Sequence, residues 1–251
     1  MIIDTHAHYD HNRYDKDRAQ VLQSQVEGGI SKIINIGCDL SSSKASVKLA
    51  EAYSYMYATV GAHPHGAKDI TEATMAEMVR LCQSEKVVAF GEIGLDYHYD
   101  FSPRDVQMKW FVRQLEAAHE LGLPVVIHSR DAAWEVFDTI KKSPVRCGVV
   151  HSFSGDAEIS LAYVELGFYI GIGGVVTFDK ADELRAAVAA TPIERILLET
   201  DCPYLTPVPY RGKRNESRYL SHVADAIGEI KGIDDVAGVT AANATRLFGL
   251  G

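Results

Sequence analysis

The sequence lacks any uninterrupted apolar run long enough to cross a bilayer, and its first residues carry no basic segment followed by an apolar one. Neither a membrane span nor a secretory signal is therefore expected. Cysteine is sparse. The four residues, Cys38, Cys82, Cys147 and Cys202, show no CxxC spacing, so the chain reads as cytoplasmic with reduced thiols. Cys38 and Cys82 lie in apolar contexts and are expected in or near the core, and Cys202 is expected to pack rather than react. No glycine-rich dinucleotide or phosphate loop follows a strand candidate, which removes the commonest nucleotide-binding signatures. No low-complexity segment or linker divides the chain, so residues 1–251 read as one domain. A basic surplus is missing too: the net charge is −9. That argues against a surface that coats nucleic acid, while leaving room for a local site where metal ions or a basic loop meet a phosphate.

What is present is ordinary for a globular chain, with 47% hydrophobic and 24% charged residues. Short runs rich in Val and Ile alternate with helical patterns from end to end. The strand candidates are MIID, KIINIG, MYATVG, VVAFGEIG, PVVIHS, CGVVHSF, FYIGIGG and RILLETD. They are apolar almost throughout, as strands buried on both faces should be. Between them lie amphipathic segments: one stops at Gly28–Gly29, one follows a serine cluster suited to capping, and one is bracketed by Pro103 and Gly122. Trp110 and Trp134 fall in helical patterns and read as packing residues. Two further helices are expected after Arg218 and after Asp234. Eight such alternations at this length predict an α/β chain folded as a (β/α)8 TIM barrel, with a doubly wound open sheet as the alternative. The one irregular stretch, PYLTPVPYRGKRNESR from Pro203 to Arg218, reads as a long loop.

The first strand candidate runs into DTHAH. Residues two apart on a strand share a face, so His6 and His8 would present two imidazoles together. Glu92, His128, His151 and Asp201 are read at the ends of the fourth, fifth, sixth and eighth strands. In a barrel those ends converge on one face, where active sites sit. Neutral imidazoles and carboxylates suit Mg, Mn, Zn, Fe, Ni or Co. Three protein ligands suffice for one catalytic zinc. The larger set therefore predicts two divalent metal ions, with Glu92 supplying one oxygen to each. Coordination also removes the cost of burying unpaired carboxylates.

Other candidates would touch substrate. GAHPHG puts His63 and His65 on the same rim. Arg130 and Asp131 either orient substrate or cap the next helix. The run Arg211, Lys213, Arg214 and Arg218 is either a solvated face or a phosphate contact. His11, His98, His119 and His222 read as structural or surface residues. Tyr97, Tyr99, Phe153, Tyr204 and Tyr210 would stack on bases or merely line the pocket.

The segments DTHAH, GAHPH, GEIGLDYH, VIHSRDA, HSFSG and ETDCPYLTPVPYRGKRNES together resemble the TatD family of metal-dependent hydrolases, within the amidohydrolase-like barrels. They span nearly the whole chain in the family's order. The resemblance implies that His6, His8 and Asp201 hold one metal, that His128 and His151 hold the second, and that Glu92 is shared. Many members of the wider superfamily use a modified lysine at that shared position. It also implies cytoplasmic hydrolysis of nucleic-acid phosphodiesters, chiefly as a 3′–5′ deoxyribonuclease acting on single-stranded DNA ends. Asp201 would then accept a proton from the attacking water, and His63 and Arg211 would contact the phosphate. The alternatives using the same centre are a D-aminoacyl-tRNA deacylase and a small-molecule amidohydrolase. A barrel that binds metal without turnover is the non-enzymatic alternative, and a monomer is expected.

Overall fold

The computed structural model describes residues 1–251. Its first half runs β1 (Ile2–Ala7), α1 (Arg18–Glu27), β2 (Ile30–Asn35), α2 (Leu40–Ala52), β3 (Met56–Val60), α3 (Glu72–Leu81), β4 (Val87–Asp96) and α4 (Arg104–Leu121). The second half runs β5 (Val125–Arg130), α5 (Ala133–Lys142), β6 (Gly148–Val150), α6 (Ala157–Glu165), β7 (Tyr169–Ile172), α7 (Asp182–Ala190), β8 (Ile196–Leu198), α8 (Leu220–Lys231) and α9 (Val236–Phe248). All strand pairs are parallel and follow chain order. The barrel closes where the chain beyond β8 meets β1: Asp201 N donates to His6 O and His8 N donates to Cys202 O, each at 2.9 Å. The open-sheet alternative is thereby excluded. No helix is long and apolar enough to cross a membrane.

Two apolar layers hold the barrel. The larger lies between strands and helices. The smaller fills the barrel's lower interior with Ile3, Ile34, Val88, Val126, Val149, Tyr169 and Leu197, and Ala244 and Phe248 of α9 pack against it. Strand alternation then decides what stands above this plug. Two residues beyond Val126, Val149 and Leu197 come His128, His151 and Glu199 on the same inward face. The floor under the polar residues is therefore dry.

The structure corrects several expectations. Glu92 and His128 lie within their strands, because β4 and β5 continue pairing through Asp96 and Arg130 and build a taller wall there. His151 and Asp201 lie just beyond short strands. The serine cluster does not precede α2 but sits inside it. Asp39 is the cap, accepting from Ser42 N at 2.6 Å. Asp131 caps nothing; it has φ 54° and its Oδ2 lies 3.1 Å from His98 Nδ1. Trp110 is buried, but Trp134 is 48% exposed. It falls off the Val136, Phe137 and Ile140 stripe that α5 turns inward. The loop after β8 is long and irregular as expected, yet fastened: Asn215 Nδ2 donates to Thr200 O and Tyr204 O.

Candidate metal centre

Glu92 occupies the middle of the barrel mouth and is almost fully buried. Its two oxygens face different partners. Oε2 lies 3.5 Å from His6 Nε2. His6 Nε2 is in turn 3.2 Å from His8 Nε2, and His8 Nε2 is 3.3 Å from Asp201 Oδ1. Oε1 lies 2.8 Å from His128 Nδ1, 3.6 Å from His63 Nε2 and 3.7 Å from His151 Nε2. The rings of His6 and His151 stack at 3.3 Å between centroids, which brings the two groups together.

The charge state of this cluster follows from who faces whom. Burial, then the charge on His151, pushes His6 below its ordinary value, and burial with neighbouring His128 takes His63 well below. For the other three rings burial opposes charge but their polar neighbours win. His8, beside Cys38 and Asp201, is held well above 6.5, His128 is raised by Asp96 and Glu92, and His151 is raised to about 9 by Glu199 and Glu92. Burial alone would lift Glu92, yet the imidazoles around it hold it well below the usual carboxylate range. Asp201 and Asp96 are likewise lowered against burial, by His8 and by His128 respectively. In the metal-free chain the surroundings thus favour protons on His8, His128 and His151, which offset part of the carboxylate charge. Divalent cations would do the same once those protons leave, and the chemistry of the donors fits such ions. His6 Nδ1 and His151 Nδ1 are both buried without a hydrogen bond, although Glu199 Oε1 lies 2.9 Å from the latter.

Of the other expected site residues, His63 sits inside this cluster rather than on the outer rim. Its Nδ1 accepts from His65 N at 3.1 Å, which leaves the ring's hydrogen on Nε2, aimed at Glu92. His65 Nε2 lies 2.8 Å from Asp96 Oδ2. Arg130 is exposed, lies over the Tyr99 ring at 4.8 Å and makes no ion pair. Arg211 is not brought to the cluster: its guanidinium rests 3.8 Å from the Phe178 ring centroid. Arg214 pairs with Asp17 and Glu216, and Arg218 pairs with Glu216. Half of the basic run is therefore neutralised, and His11 and His98 serve as loop contacts to Tyr204 and Asp131.

Four residues were missed by the sequence reading. Asp96 Oδ2 also lies 3.1 Å from His128 Nε2. It stands four residues beyond Glu92, and the GEIGLD alternation could have revealed it. Glu199 lies 2.9 Å from His151 Nδ1, so it orients that ring and leaves Nε2 facing the centre. Cys38 Sγ approaches Glu92 Oε2 at 3.7 Å, with its thiol pushed up to about 12 by burial. Asp4 accepts from His6 N, Thr200 N and the hydroxyls of Thr200 and Ser217, tying β1 to the loop after β8. Burial nonetheless pushes its carboxyl up to about 6.

Partners that orient a metal-binding histidine are typically worth about 10–100-fold in affinity. Glu199→Gln should accordingly weaken divalent-metal binding by roughly tenfold or more in a competition titration against a chromophoric chelator. Unchanged affinity would show that Glu199 serves only the fold.

Comparison with known proteins matches these features. The family model described as TatD related DNase matches residues 3–249. The Bacillus subtilis protein named uncharacterized metal-dependent hydrolase YabD is 40% identical over 252 residues, covering 99% of each chain. The Shigella flexneri protein named 3′-5′ ssDNA/RNA exonuclease TatD is 37% identical over 250 residues, covering 95% of each. Among solved structures, the TatD homolog YJJV from Escherichia coli superimposes with a TM-score of 0.94 at 31% identity, covering 100% of this chain and 98% of that one.

Proposed function

This chain belongs to the TatD-related DNase family and is a metal-dependent hydrolase of ester bonds, and from that premise we propose that it removes nucleotides from the 3′ end of single-stranded nucleic acid, chiefly DNA. In this reading it works as a cytoplasmic monomer and holds two divalent ions, one with His6, His8 and Asp201 and the other with His128 and His151, Glu92 lying between them. The observation that carries the reading is Glu92 itself, whose oxygens turn to two separate nitrogen groups. The free thiols suit a reducing compartment. Relatives named as 3′-5′ ssDNA/RNA exonucleases support the substrate class.

Bound ions would supply an activated water and neutralise charge growing on the phosphoryl oxygens. The chain's own residues do the rest. Asp201 is the cluster carboxylate that water can reach: its side chain is 21% exposed against 5% for Glu92 and 1% for Asp96 and Glu199. It is therefore the group placed to accept the water's proton. His63 presents Nε2–H to the centre and can donate it to a phosphate oxygen. His65 holds Asp96, and Arg130 is free to meet a phosphate further along the strand.

The test is product-resolved digestion of a 5′-labelled single-stranded DNA with Mg²⁺ or Mn²⁺, run beside His128→Ala. A ladder that shortens from the 3′ end and disappears in the variant is the expected result. Intact DNA with metal bound would contradict the reading and direct the search to carbonyl esters such as D-aminoacyl-tRNA.

A further inference from the structure

Aromatic residues near the barrel mouth fall into two classes. Phe153 is buried, Tyr97 is half-buried with Arg104 over its face, Tyr210 is stacked on Tyr219, and Tyr204, though exposed, has Arg13 over its ring and His11 edge-on to it. Tyr99 and Phe101 are different. They are 48% and 56% exposed, and their rings lie parallel, 5.1 Å apart with 13° between planes. The two rings stack on each other, yet each stays about half exposed, so aromatic surface is left that the chain itself does not cover.

Their position is fixed relative to the metal centre. Asp96 Oδ1 accepts the backbone N–H groups of His98 and Tyr99 at 3.0 Å each, pinning the start of the loop. The other oxygen of the same carboxylate contacts His65 and His128. His65 packs edge-on against both rings, at 5.5 Å from Tyr99 and 4.8 Å from Phe101. Arg130 approaches Tyr99 from β5 with no carboxylate partner. A cation without a partner, beside exposed aromatic faces and continuous with a phosphodiesterase centre, has the chemistry that binds a nucleotide: faces for a base and a charge for its phosphate.

We propose that Tyr99 and Phe101 form a stacking platform for a base of the single strand next to the bond being cut, with Arg130 holding the adjoining phosphate. The platform makes the enzyme prefer a polymer with bases over a bare phosphodiester, and it tolerates any base because every base offers a flat face. The inference rests on the exonuclease reading for the identity of the substrate, but its test is made on binding.

The probes are a fluorescein-labelled oligo-thymidylate of eight nucleotides and the same chain with abasic residues near its 3′ end. Anisotropy titrations compare the wild-type protein, Tyr99→Ala/Phe101→Ala, and Phe101→Trp, with thermal melts to verify folding. One lost stack corresponds to about tenfold in affinity. The wild type should bind the intact probe about tenfold more tightly than the abasic one. The double alanine variant should bind both alike at the weaker level, and Phe101→Trp should keep the discrimination. Equal binding of both probes by the wild type, or full discrimination by the double alanine variant, would overturn the platform. Digestion of the intact probe with Mn²⁺ is scored separately. Discrimination without cleavage leaves the platform standing and removes the exonuclease reading. Cleavage without discrimination does the reverse.

Discussion

Replacing Glu92 by glutamine should lower kcat on single-stranded DNA by on the order of a thousandfold while changing KM little. The side chain keeps its size, so packing in the barrel mouth is preserved. What changes is charge and donor character. Glu92 faces His6 on one oxygen and His63, His128 and His151 on the other. Glutamine turns an N–H₂ group, which is a poor metal ligand, toward one of those two sets. Metal ions contribute several kcal/mol to hydrolysis of this kind, and each 1.36 kcal/mol is tenfold in rate. Of the substrate contacts proposed above only His63 faces Glu92; Arg130 and the aromatic loop do not, so most ground-state binding survives. Steady-state kinetics with circular dichroism as a folding control makes the check. Activity within tenfold of wild type would mean that Glu92 is a buried hydrogen-bond acceptor and not the link between two metals.

Chelation should have the second largest effect. Removing divalent ions with EDTA is expected to abolish hydrolysis and to lower the melting temperature by roughly 5–10 °C at pH 7. A ligand present at a hundred times its Kd stabilises by about 2.7 kcal/mol, and about 1 kcal/mol shifts the midpoint of a chain this size by ~2–4 °C. The pH dependence has a definite sign. In the metal-free chain His151 is raised to about 9 and His8 well above its ordinary value of 6.5. Groups raised in the folded state stabilise it fully below their unfolded pKa, and that contribution is lost as pH climbs through the folded value. Metal-free protein should therefore lose stability between about pH 6.5 and pH 9. In the loaded protein metal ions would take over from those protons in offsetting the carboxylates, and metal binding strengthens as protons leave. The gap between loaded and chelated melting temperatures should widen from pH 7 to pH 9. A gap that is absent, or that narrows over this interval, would show that the protonated imidazoles do not stand in for cations.

The barrel was legible in the sequence because parallel strands covered on both faces write themselves as apolar runs, and eight of them alternate with helical stripes. The centre was legible for a related reason. Polar residues at the upper ends of such runs are conspicuous: the spacing of His6 and His8, and the step of two from Val126 to His128 or from Val149 to His151, follow from strand geometry. What stayed hidden depends on pairing across the barrel. The even spacing from Glu92 puts Asp96 on the same face, but only the pairing of β4 with β5 carries the strand far enough to make it part of the wall. Glu199 was overshadowed by Asp201 two residues later, although it shares the inward face with Leu197. Cys38 looked like core because its neighbours are apolar, while its thiol in fact lies against Glu92. The basic run reads equally as a solvated face or a phosphate contact, and no local pattern shows that Asp17 and Glu216 neutralise Arg214 and Arg218. Asp17 is distant in sequence from the arginine it neutralises. Trp134 reads as a packing residue and does lie edge-on to Phe137 at 5.6 Å, but it falls off the stripe that α5 turns inward and stays 48% exposed.

The most direct test of the central claim is anomalous diffraction from crystals of the protein loaded with Mn²⁺ or Zn²⁺. Two peaks are predicted, one among His6, His8 and Asp201 and one beside His128 and His151, with Glu92 between them. A single peak, or peaks that leave Glu92 without a metal on either oxygen, would contradict the account.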